Sequence, residues 1–140
     1  MEDRLSKITA LEKGSHPPDN TYCLMEAVAY VAGEEWSDAP KCSCPVLAAF
    51  GRALNDQMPD SQRSRLIPFV TRLIGTRSTP AVEQKRMFLL GDYAVRVFAP
   101  LALDARLPAE AAKLRGLTPV IDRDSARAAR AAAYDAANVA

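Results

Sequence analysis

The chain is predicted to be all-α, a compact single-domain bundle of about five to seven short helices. Apolar residues recur at helical spacing in nearly every segment, and no stretch sustains the period-two alternation that a half-buried strand needs. Ten prolines and six glycines then cut that pattern into short pieces with short connections. With 140 residues, 49% of them hydrophobic, the chain is long enough to bury a core without covalent staples.

The elements follow in order from local signals. Leu5, Ile8 and Leu11 predict a short amphipathic helix over about Asp3 to Glu12, closed by Gly14. Consecutive prolines make "GSHPPDN" a loop, because Pro18 lacks an amide donor and restricts the residue before it. Asn20 or Thr21 can cap the next helix, which runs to about Ala32 and stops at Gly33. Ser43 or Cys44 can cap a third, with Pro45 at its first position and Val46, Leu47, Phe50, Ala53 and Leu54 as its buried stripe. "DSQRSRLIPFVTRLIG" predicts a helix from Asp60 to Ile74, kinked or divided at Pro68. Thr79 and Pro80 open a helix that can reach Ala99, with Met87, Leu90, Ala94 and Val97 on a face central to the core. A short helix begins at Pro108, and "TPVIDRD" connects it to the tail. Residues 1–123 are thus read as the helical domain. Residues 124–140 form an Ala-rich C-terminal helix, lightly docked or partly frayed.

Composition narrows the function. A formal net charge of +1 gives no general affinity for polyanions, so nucleic acid is not an expected partner. Arg123, Arg127 and Arg130 share helical spacing, which reads as a solvated face. No apolar run is long enough to span a bilayer, and the charged start "MEDRLSKITALEKG" has no signal-peptide core, so the expected location is cytoplasmic. Three thiols there should stay reduced. Phosphate loops, dinucleotide turns and nucleophile elbows are all lacking as motifs.

The unusual chemistry lies between residues 16 and 44. His16 is the single histidine, and with Cys23, Cys42 and Cys44 it would supply a Cys3His set for zinc. The Cys-x-Cys spacing is not that of a zinc knuckle, and reduced buried thiols are the leading alternative. Cys23 and Cys44 sit near predicted helix starts, where a thiolate is favoured and His16 could serve as base, and the candidate catalytic set is Cys23 or Cys42 with His16 and Glu26. Glu26 is the only charge between Tyr22 and Gly33. A carboxylate on an apolar helix must find a partner, whether a metal in place of Cys44, a hydroxyl, or an arginine such as Arg52. "GEEWSDAP" offers Trp36 as an exposed anchor or as a packed ring, the latter being the commoner outcome. Asn55 and Asp56 can cap a helix end or line a pocket.

The run "GSHPPDNTYCLMEAVAYVAGEEWSDAPKCSCPV" resembles a family of small uncharacterised proteins of actinobacteria and their phages. Its pattern is G-(S/A)-H, then C-x-M-E-A-V-A-Y-V-A-G-E, then S-D-x-P-x-C-x-x-P. The resemblance carries no activity, but it maps onto His16, Cys23, Glu26, Asp38 and Cys42 and leaves Cys44 outside, which favours a site or hydrogen-bonded cluster of His16, Cys23, Glu26 and Cys42. A phage association implies a host-directed binding or regulatory role. The expected function is a binding or regulatory module that takes a protein partner or a small molecule. The alternatives are a thiol- or metal-dependent enzyme and a homo-oligomeric interaction protein whose Ala-rich tail packs on a partner helix.

Overall fold

The computed structural model describes residues 2–139 and is 64% helical, with no strand among them. The all-α expectation is therefore met. The chain divides into two compact units, one ending at Glu83 and one beginning at Gln84.

In the first unit, α1 is a single turn, Glu2–Leu5, where a helix to Glu12 is predicted. Ser6 Oγ donates to Asp3 O, and Glu12 N–H pairs with Tyr22 O, which commits the following segment to a non-helical path. Ile8 and Leu11 are nonetheless buried. Their spacing marks a segment crossing the core, and any backbone that turns its apolar side chains inward can produce it.

Helix α2, Leu24–Ala32, is the centre of this unit, and only Tyr30 and Ala32 within it escape full burial. It ends as predicted at Gly33, whose φ of 77° is the left-handed C-cap, with the Gly33 N–H donating to Ala29 O and Tyr30 O. Helix α3, Pro45–Gln57, begins at the predicted Cys44–Pro45 junction. Its buried face is Ala48, Gly51 and Asn55, whereas the predicted stripe residues Phe50 and Leu54 are exposed. Small residues win the inward positions because α2 lies close: a Cβ at Gly51 would sit 3.2 Å from Leu24 Cδ2.

The predicted helix from Asp60 to Ile74 is divided at Pro68, into α4 (Asp60–Arg63), a 3₁₀ segment (Ser64–Phe69) and α5 (Val70–Leu73). Leu66 and Val70 complete a core that gathers Ile8, Leu11, Tyr22 and the apolar residues of α2.

Helix α6, Pro80–Tyr93, begins at the predicted proline and runs on through a π-helical segment, Ala94–Phe98, into α7, Ala99–Leu103. The expected stop before Pro100 fails because the wider turn, with Ala99 N–H donating to Ala94 O, carries the chain past a residue that has no donor. No residue from Pro80 to Phe98 is buried, so the face expected to be central to the core is instead largely exposed. In the second unit, α8 (Pro108–Arg115) and α9 (Arg123–Val139) bury Ala111, Leu114, Ala129 and Ala136. Asp122 caps α9 by accepting the Ser125 N–H at 2.8 Å. None of the described helices is long and apolar enough to cross a membrane.

Candidate functional site

The site is built on the first turn of α2. Cys23 is its N-cap, in extended conformation, and its Sγ accepts the Glu26 N–H at 3.4 Å. Glu26 answers by accepting the Cys23 N–H through Oε2 at 2.8 Å. This is a capping box with a thiol where serine or threonine usually stands. The Glu26 carboxylate, fully buried, also accepts Ser15 Oγ at 3.0 Å and His16 N–H at 2.6 Å through Oε1. His16 Nδ1 lies 2.9 Å from Oε2. Burial alone would raise the Glu26 pKa, but the donors from Cys23, His16 and Ser15 outweigh it and hold the carboxyl below its usual range. The carboxylate therefore stays ionised and pins the Gly14–His16 loop to α2.

The loop is locked on its other side as well. Gly14 has a φ of 90° and donates its N–H to Asp56 Oδ1, while His16 O accepts Trp36 Nε1–H at 2.8 Å. The Trp36 ring packs on Tyr22 at 5.2 Å, and Tyr22 packs on Tyr30 at 5.3 Å. Trp36 is thus a packed ring, and its outer edge lines a cleft of about 440 Å³ with Glu34, Glu35, Ser37, Pro40 and Lys41.

Asn55, expected to cap a helix end or line a pocket, does cap the start of α2, whereas the importance of Arg63 is not apparent in the sequence. Asn55, buried in α3, accepts the Leu24 N–H and donates to Glu12 O and Asp56 Oδ1. Arg63 is almost fully buried and donates to Asn55 O and Met58 O, which are carbonyls left without helical partners as α3 ends. The available signal is the Pro59–Asp60 break, which forces α3 to end and creates that need for donors. Of the partners considered for Glu26, a hydroxyl is present as Ser15 Oγ, whereas Arg52 instead donates to Asp38 O at 2.7 Å.

Of the predicted site residues, His16, Cys23 and Glu26 converge, but Cys42 and Cys44 do not join them. Cys42 Sγ is near Ser43 Oγ, and the Cys44 N–H donates to Thr76 Oγ1. Among the described residues, no group of three or more His, Cys, Asp or Glu side chains is arranged to hold a metal ion. The proposed set of His16, Cys23, Cys42 and Cys44, with Glu26 as an alternative, is not assembled. Glu26 has its oxygens engaged by protein donors.

The three cysteines are thiols. Burial is the main cause that pushes Cys23 up to about 11, the opposite of what a thiolate nucleophile requires. Desolvation raises Cys42 as well. What remains chemically available is the His16 imidazole, about 15% exposed, with Nδ1 held by a carboxylate. That arrangement orients a base, yet Ser15 Oγ and Cys23 Sγ, the nearby nucleophile types, are both turned to Glu26.

No protein-family model matches the chain, and neither curated proteins nor solved structures show a significant match to it.

Proposed function

We propose that the protein is a small helical binding module that docks a protein partner through its second unit, with the His16–Cys23–Glu26 cluster serving to rigidify the first. One observation carries this reading. The continuous rod of α6, the π segment and α7 leaves Met87, Leu89, Tyr93, Val97, Phe98 and Leu101 between 37% and 64% exposed. An apolar surface of this extent on a single element marks an interaction site. The polar cluster, by contrast, has its donors and acceptors matched to each other, as a structural network does.

The test places a photo-crosslinking benzoylphenylalanine at Tyr93 in the cell that makes the protein. The expected result is a discrete covalent adduct with a protein, with none from the same group at the exposed Lys113. Absence of an adduct at Tyr93 would overturn the docking surface.

A second reading, an enzyme using His16 as base, is favoured by the 2.9 Å contact between His16 Nδ1 and Glu26. It requires a nucleophile or an activated water at the outer edge of the ring. Hydrolysis of a panel of ester and peptide substrates that disappears in a His16→Gln variant would support it; a wild type inert to the panel would not.

A further inference from the structure

We infer that the cleft beside Trp36 binds an organic cation, and that its walls select the guanidinium of an arginine side chain carried by a peptide or protein. The cleft lies wholly within the first unit and measures about 440 Å³, the scale of a small-ligand site. It forms in the segment between α2 and α3, which has no helix or strand of its own. Irregular backbone on a surface is ordinarily the mobile part of a domain. Here it is pinned along its length. The Glu34 N–H donates to Ala29 O at 3.0 Å, Trp36 Nε1–H to His16 O at 2.8 Å, Arg52 to Asp38 O at 2.7 Å, and the Lys41 N–H to Glu34 Oε2 at 2.6 Å. Pro40 is buried. The Glu26 cluster contributes to this frame, because the His16 that it clamps is the residue that holds the indole. The walls are set before a ligand arrives, so binding does not have to order them.

The groups left over in that frame select the ligand. Tyr22 packs on the Trp36 ring, and the part-exposed remainder of the ring stands in the cleft wall. The ionisable side chains of the lining are Glu34, Glu35 and Lys41, two negative and one positive, for a net charge of −1. Neither the Glu35 carboxylate nor the Lys41 ammonium makes a hydrogen bond or ion pair with the described residues, so the two do not answer each other. Asp38, the other carboxylate of the segment, lies 3.9 Å from Arg52 instead. A cation in the cleft therefore meets a carboxylate without a partner and an aromatic ring that attracts positive charge. Guanidinium suits this pair better than ammonium: it is planar, weakly hydrated, stacks on aromatic rings and offers a carboxylate several N–H donors. Lys41 opposes such a ligand, but it is exposed, and its flexible stem lets the ammonium turn to solvent.

The experiment titrates the full chain with Nα-acetyl-argininamide, using Nα-acetyl-citrullinamide as the uncharged isostere and glucose as a neutral ligand that stacks on indoles. Trp36 is the only tryptophan in the chain, so its fluorescence, excited where tyrosine does not absorb, reads the cleft directly. The expected result is saturable binding of the arginine analogue in the millimolar range, weakened by added salt. The affinity should fall about two- to fivefold in Glu35→Gln and rise in Lys41→Gln. Both substituted side chains are exposed, and unchanged circular dichroism would show that the fold is kept. Amide chemical shifts in the nuclear magnetic resonance spectrum supply a second measurement, with changes expected in residues 33–42 and at His16. No binding of the arginine analogue, equal binding of the citrulline analogue or of glucose, an affinity indifferent to both substitutions, or shifts centred elsewhere would each overturn the site.

Discussion

At the scale of single residues, the decisive group is Glu26, whose two oxygens serve Cys23, Ser15 and His16 at once. Glu26→Gln replaces one acceptor oxygen by a donor and sets that NH2 against donors, so we expect it to cost about 2–4 kcal/mol of stability in urea unfolding. The pH dependence has a defined sign. Because the folded-state pKa lies below the ordinary value of 4.5, the stabilisation is fully present above pH 4.5 and is lost as pH falls toward the folded value. The Gln variant should show a shallower loss of stability over that acid range than the wild type, and an equal slope in the two would refute the assignment. The thiols lead to a separate expectation. With Cys23 raised to about 11 and Cys44 buried, maleimide at pH 7.5 should reach the half-buried Cys42 first, and slowly, with all three labelling together only in denaturant. Fast labelling of Cys23 in the native protein would restore the catalytic-thiol reading. Glu26 already holds the loop through Ser15 Oγ and the His16 N–H, so a chelator is expected to leave the melting temperature unchanged, and a drop would support the metal-stabilised reading.

Among the elements, the closest approach is that of α2 and α3 at Gly51, where an added Cβ would lie 3.2 Å from Leu24 Cδ2 and 3.4 Å from Met25 Sδ. Gly51→Val carries two methyl groups beyond that Cβ into a packed seam, and we expect a loss of about 1–3 kcal/mol. Stability equal to wild type in denaturant melts would show that the seam can open. This seam also explains which parts of the fold were legible in the sequence. Helix starts at Pro45, Pro80 and Pro108 and the stop at Gly33 were readable, because backbone geometry acts locally and leaves its residue type in place. The inner face of α3 was not readable, because closeness to α2 selects Ala48, Gly51 and Asn55 over the larger apolar residues nearby. The passage of the chain beyond Pro100 was equally hidden, since a π segment has no distinctive residue. In the site, Glu26 was recognisable as a buried carboxylate needing partners. That those partners would be a loop hydroxyl, an imidazole and two backbone amides depended on how residues 14–16 fold back, and spacing does not encode that.

For the molecule as a whole, the two units differ in what they bury. The first gathers Ile8, Leu11, Tyr22, the apolar side of α2, Leu66 and Val70 into one core, with Asn55 and Arg63 satisfying buried backbone groups. In the second, Leu114 and Val120 are the only large aliphatic side chains buried among the described residues, while larger ones line its exposed ridge. Local opening free energy follows buried apolar contact, so the two units should not exchange amide hydrogens alike. At pH 7 the amides of α2 should be the slowest in the chain. Those of α6 and α7 from Leu89 onward should exchange about tenfold faster or more in dilute solution. Hydrogen exchange read by mass spectrometry measures the difference directly. Protection in α6 and α7 that matches α2 would mean the second unit is stable on its own small core, and the link between buried apolar contact and local stability would fail here.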